Sequence, residues 1–192
     1  MRIPLLASAG VGACALALAV AVPAAAASSH NVSATVFGAD SGSKAVTYDP
    51  AVVPTGAQMS VNISQAADGT VVALEVDGLL PNRGYAAHAH VNPCGATGAD
   101  AGPHFQHAVD PAAGPDRPSV DPAYANADNE VWLDQQTDAN GDGRAEAELP
   151  FTFAGNRSPR SVVVHAAEAT ATDAGHAGSA GDRAACITLP VT

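Results

Sequence analysis

His88 and His90 stand two residues apart in the run Tyr85-Ala86-Ala87-His88-Ala89-His90-Val91-Asn92-Pro93-Cys94. On a β-strand, residues i and i+2 share a face. Such a pair presents two imidazoles side by side, as a metal ion requires. Imidazole is a borderline ligand that suits copper and zinc, and neutral imidazole is the commonest protein ligand for such metals. A third histidine follows in Gly102-Pro103-His104-Phe105, and a fourth, His165, ends the apolar run Ser161-Val162-Val163-Val164. Alone, a histidine after an apolar strand is usually a satisfied strand-end residue. Four histidines on strands or at strand ends can converge in a sandwich or barrel, and together they read as a metal site.

The elements that must position them read as strands. Val32–Phe37 alternates apolar and polar, Lys44–Tyr48 is a second short run, and Met59–Ser64 alternates cleanly, as a half-buried strand should. Asp68-Gly69 makes a turn and Thr70–Val76 returns as a β-branched strand, which is a hairpin signal. Gly84–Val91 carries His88 and His90. From Asn92 to Asn129 the chain is rich in Pro, Gly, Ala and Asp. A loop this long in a compact domain is usually functional or disordered; this one begins at the paired histidines and holds His104, which favours function.

Further on, Glu130–Gln135 and Ala145–Phe153 are expected to form a second hairpin around Asp138-Ala139-Asn140-Gly141-Asp142-Gly143. That hexapeptide resembles the start of an EF-hand loop. Leu149 stands where the bidentate glutamate belongs and no flanking helices are evident, so a β-turn is expected instead. Ser161–His165 is a buried strand, Ala166–Asp182 a second long loop, and Ala184–Val191 the closing strand. Trp132 reads as a core residue. The fold expected is all-β, a Greek-key β-barrel or sandwich of about eight antiparallel strands with two long functional loops.

The chain has 192 residues, enough for one domain. Residues 1–27 read as a cleaved secretory signal peptide: Arg2, an apolar stretch from Ile3 to Val22, then A-x-A sites in Ala24–Ala27 before Ser28. The apolar stretch nears the ~20 residues of a membrane span, but its alanine-rich end and polar continuation favour cleavage. Val11-Gly12-Ala13-Cys14 resembles a lipobox, yet the apolar core runs on past Cys14 to Val22. The mature chain, 28–192, is therefore expected to be secreted or extracytoplasmic and free of the membrane. The whole chain carries 8 Lys+Arg against 19 Asp+Glu, a net charge of −11, and losing Arg2 makes it one unit more negative. That balance argues against nucleic acid and anionic membranes as partners. Two cysteines remain, Cys94 and Cys186, in a compartment where a pair is expected to be oxidised.

Four separated motifs, H-x-H-x-x-x-C at 88–94, G-P-H-F at 102–105, V-V-V-H at 162–165 and G-D-R-A-A-C at 181–186, resemble the copper,zinc superoxide dismutase family. Their order and spacing are those of the bacterial exported type, and the resemblance runs from about Asn31 to the C-terminus. It implies copper held by His88, His90, His104 and His165, and superoxide as a substrate converted to dioxygen and hydrogen peroxide. It implies a Cys94–Cys186 disulfide closing a loop of about 90 residues, a constraint on the order of 4 kcal/mol. His104 matches the family's proton-carrying histidine, which bridges copper to zinc. Arg183 matches an arginine that attracts and orients superoxide.

The zinc half departs from the pattern. The family supplies two further histidines and an aspartate after the bridge. Here only His107 follows before Asn129, Tyr124 stands roughly where the last zinc histidine belongs, and Asp110, Asp116, Asp121 and Asp128 are the available carboxylates. Zinc is thus a doubtful second cofactor. An exported copper-dependent dismutase, with or without zinc, is the leading expectation, and a non-catalytic copper-sequestering module on the same fold is the alternative. The loop Ala166–Asp182 holds no Lys or Arg, which keeps that alternative open.

Overall fold

The computed structural model describes residues 27–38, 44–114, 117–154 and 157–190. The expected leader up to residue 26, with Cys14, lies outside the described residues, as does Asp116. The strands in chain order are β1 (Ser28–Gly38), β2 (Ala45–Thr47), β3 (Gln58–Ala66), β4 (Gly69–Asp77), β5 (Gly84–Tyr85), β6 (Ala87–His90), β7 (Gln135–Gln136), β8 (Gly143–Leu149), β9 (Ser161–His165) and β10 (Arg183–Thr188). One short 3-10 helix, Gly98–Ala101, lies in the first long loop.

Alternation in the sequence becomes alternation in burial. Met59, Val61 and Ile63 of β3 are buried while Ser60, Asn62 and Ser64 are not, and β4 pairs with β3 from Gln58↔Asp77 to Ala66↔Gly69. Eight strands form one sheet in the order β6-β9-β10-β2-β1-β3-β4-β8, and β5 pairs with β7. All these pairings are antiparallel except β1 with β2. One core joins Val32, Met59, Val61 and Leu74 from β1, β3 and β4 to Ala87, Ala89, Val162, Val164 and Ile187 from β6, β9 and β10. The two ends of the sheet therefore face each other across a single apolar interior, a Greek-key β-barrel. Val162 and Val164 are 0% exposed, and burying each contributes about 1.5–3 kcal/mol of transfer free energy.

The second expected hairpin is not a hydrogen-bonded pair. The segments flanking the Asp138–Gly143 turn part company: β7 pairs with β5, whereas β8 pairs with β4 from Val76↔Gly143 to Thr70↔Leu149. The turn itself is a turn, closed by Asp138 N–H donating to Asp142 O at 2.9 Å and by the Asp138 carboxylate accepting from the backbone of Asn140 and Asp142.

Strand parity decides where the chemistry sits. In β6 Ala87 and Ala89 face the core, which turns His88 and His90 outward. In β9 Val162 and Val164 face the core, so Val163 and His165 take the other side. Before β7, Val131 and Leu133 are core residues, so Glu130, Trp132 and Asp134 share the outer face. Trp132 thus does not belong to the core as expected. It pairs across from His88, with ring centroids 5.7 Å apart. The barrel wall carries the histidines on its outside, beneath the two long loops.

Candidate metal centre

Four imidazoles converge there. His88, His90, His104 and His165 each offer a ring nitrogen, and those atoms all lie within 4.8 Å of one another. Backbone pairing brings the rings together: β6 runs beside β9, and His104 bridges to His90 as an isolated pair. Ring centroids are 4.1 Å apart for His88 and His104, and 5.0 Å for His88 and His165. Gly102 makes the turn into His104 possible. Its φ of 71° is one L side chains rarely adopt, and a Cβ there would come within 2.7 Å of Asn92 Nδ2.

The second nitrogen of every ring is engaged away from the group, which fixes the first. His90 Nδ1 donates to Gly102 O at 2.9 Å and His165 Nδ1 to Gly181 O at 3.3 Å, because a carbonyl only accepts. Their Nε2 atoms are left as lone pairs, 3.4 Å from each other. Thr170 Oγ1 donates to Asp134 Oδ1 at 2.7 Å, so it accepts from His88 Nε2, also at 2.7 Å. His88 Nδ1 is consequently a bare lone pair, buried and without a hydrogen-bond partner. An orphaned acceptor beside two lone pairs in contact is a site built for a cation. Neutral nitrogen donors of this kind suit copper.

His104 is tied differently. Its Nδ1 lies 2.9 Å from Glu130 Oε2. The same oxygen accepts from Trp132 Nε1 at 2.8 Å, and Glu130 Oε1 accepts from Gln106 Nε2 at 2.8 Å. Glu130 is 1% exposed, so this is a buried carboxylate with three N–H donors, one of them the imidazole. The loop Ala166–Asp182 closes over the pair at Gly178, where a Cβ would stand 3.8 Å from both Glu130 Oε2 and His104 Nδ1.

Burial pushes His88 and His90 well below the usual imidazole pKa, with the neighbouring rings adding to it; burial also lowers His165, to about 3. The unfolded chain takes up these protons below about 6.5, whereas the folded chain refuses them until far lower pH. The neutral rings therefore contribute stability that is whole above 6.5 and lost as pH falls from there to about 3. Thermal unfolding of the metal-free protein should show its melting temperature dropping through that window. A melting temperature flat from pH 6.5 to 4 would contradict the buried neutral site.

The sequence matches the family description "Copper/zinc superoxide dismutase (SODC)" over residues 57–188. The chain belongs to the copper/zinc superoxide dismutase family. The match begins later than the resemblance from about Asn31 suggested, although β1 joins the same sheet. Among solved structures, the Cu/Zn superoxide dismutase from Brucella abortus shares 16% identity over 83% of this chain and 99% of its own, with a TM-score of 0.55. A histidine-for-proline mutant of the SOD-like protein from Bacillus subtilis shares 14% identity over 69% of this chain and 90% of its own, with a TM-score of 0.52. Both likenesses concern the fold. No curated protein matches.

The expected disulfide forms, and Arg183 lies across from His165. Cys94 and Cys186 form a disulfide, packed with Val46, Ala101 and Val163, that ties the first long loop to β10. Arg183 pairs across from His165, and its Nη1 donates to Gly98 O at 2.7 Å. A Cβ on Gly98 would come within 2.8 Å of Arg183 Cβ, so glycine is what lets the arginine lie against the 3-10 helix. Arg183 lines an open cleft of about 570 Å³ together with His104 and His165.

The described residues do not gather a second, zinc-type set on His104. Its outer nitrogen is held by Glu130, and His107 stacks on Phe151 at 4.3 Å instead. Asp110 accepts from Ser119 Oγ, and Asp121 caps a turn through Ala123 N–H. Glu130, Asp134, Thr170 and Gly98 are site residues that the motif reading missed. The alternation Glu130-Val131-Trp132-Leu133-Asp134 was the available signal, since it places two carboxylates opposite two core residues.

Proposed function

We propose that this dismutase-family chain is an exported, copper-dependent superoxide dismutase that works with Glu130, rather than zinc, on the outer nitrogen of His104. The observation that carries this reading is the inward set of lone pairs, Nδ1 of His88 and Nε2 of His90 and His165, completed by His104 Nε2 when its Nδ1–H donates to Glu130. Copper, when bound, supplies the one-electron couple that converts superoxide to dioxygen and hydrogen peroxide. The strands β6 and β9 hold three of the donors rigidly. His104 has the one ring of the four with an appreciably exposed side chain, 18%, so its Nε2 is the atom placed to take a proton from solvent and hand it to the product. Glu130 keeps that ring in one orientation while the proton moves. Arg183 attracts the anion to the mouth of the cleft, a local positive charge on a chain of net −11. Export is supported by the leader-like residues 1–27 and by the disulfide.

The test is dismutation by the mature, oxidised protein carrying one equivalent of copper and no zinc. Turnover clearly above free copper is expected; copper-loaded protein at free-copper background would defeat the reading. The scarcity of positive charge favours one alternative, copper storage without turnover. Arg183→Ala separates the two. An enzyme should lose about 10-fold or more in kcat/KM, and its salt dependence, with copper affinity nearly unchanged. A store would show no kinetic change.

A further inference from the structure

Superoxide has two atoms, whereas the cleft beside His104 and His165 measures about 570 Å³, the size of sites that hold drug-sized ligands. Its wall beyond the histidines is largely apolar, with Phe105, Val109, Pro118 and Val120 lining it alongside Ser119 and Ser179. Val109 is 61% exposed and Val120 38%, two of the few large apolar side chains open to solvent among the described residues. Two guanidiniums, Arg157 and Arg183, line the same cleft. Among the described residues, the one acidic side chain lining it is Glu130, which is buried and already accepts three hydrogen bonds. In a chain with 19 acidic and 8 basic residues, two guanidiniums beside one buried carboxylate invert the local balance of the described lining. Arg157 Nη2 is occupied in holding Gln106 O and His107 O, whereas Arg183 donates Nη1 to Gly98 O.

We propose that the cleft binds a small amphipathic organic acid, its carboxylate against Arg183 and its apolar body on Phe105, Val109 and Val120. Bound this way, the acid occupies the guanidinium that superoxide would use, so the ligand acts as a competitive brake on anion entry. Recognition needs both halves: the carboxylate selects Arg183, and the body displaces water from walls that a diatomic anion leaves wet.

The test uses the mature protein without metal, titrated by calorimetry with benzoate, acetate and benzyl alcohol, so its outcome does not depend on dismutation. Saturable one-to-one binding of benzoate is expected, at least about tenfold tighter than acetate or benzyl alcohol. Arg183→Gln should weaken benzoate about tenfold or more. The double variant Val109→Asn/Val120→Asn should weaken it several-fold while leaving dismutation by the copper-loaded protein unchanged. Absence of saturable binding, acetate binding as tightly as benzoate, or indifference to either variant would each overturn the assignment.

Discussion

Glu130→Gln, loaded with one equivalent of copper, is expected to dismutate superoxide about 10- to 100-fold more slowly than the parent, with its fold intact. The reason is the direction of one hydrogen bond. Glu130 accepts from His104 Nδ1, Trp132 Nε1 and Gln106 Nε2, and a carboxylate can accept at both oxygens. A glutamine accepts at one oxygen and donates at the other position. If its amide nitrogen faces His104, Nδ1 must become the acceptor, the ring's proton moves to Nε2, and the lone pair is lost from the metal side. If it faces Gln106, two donors oppose each other. Glu130→Ala is the poorer test, because it leaves three donors without their acceptor, at about 1–3 kcal/mol for each one that is buried, and confounds activity with folding. The measurement is a rate by pulse radiolysis, paired with copper affinity by chelator competition. A glutamine variant at parental rate would sink the role of the carboxylate.

Cys94→Ser should cost on the order of 4 kcal/mol of unfolding free energy, for a bridge spanning 92 residues. That is a large share of the ~5–15 kcal/mol a domain of this kind possesses. Cys94 is the better partner to change, since it is only partly buried and Cys186 is 0% exposed. The loop it anchors also carries Gly98, whose carbonyl holds Arg183. The variant should therefore lose rate through the arginine as well, while the donors on β6 and β9 keep most of the copper affinity. Guanidinium titrations of parent and variant, each with and without reductant, read the stability directly. A loss under 1 kcal/mol would mean that packing around Val46, Ala101 and Val163 holds the loop unaided.

Much of this arrangement was legible in the sequence because strand parity is a local property. Ser161–His165 has the same bounds in sequence and structure, and the spacing of His88 and His90 put both on one face of β6. Parity alone would have put Glu130 and Asp134 on the outer face, yet could not say that they are used. A carboxylate opposite a core residue normally faces water. Glu130 is buried because His104, Gln106 and Trp132 all bring donors to it, and Gly178 of the second loop covers it. No local pattern announces a meeting of segments so far apart. Trp132 was assigned to the core on its type alone, although Val131 and Leu133 beside it already claimed the inward face. The second hairpin failed for a related reason: the turn formed, but β4 and β5 were stronger partners than the two flanks were for each other.

The placement of the imidazoles outside the barrel wall separates two kinds of opening. Unfolding the barrel must break the single core that unites both ends of the sheet. Uncovering the histidines requires only that the two loops lift, one of them tied at the disulfide and the other closed at Gly178 over His104 and Glu130. Such partial openings lie far below global unfolding in free energy. A metal ion can therefore enter or leave a finished fold, and its exchange rate is set by the breathing of two covers rather than by the durability of the barrel beneath them.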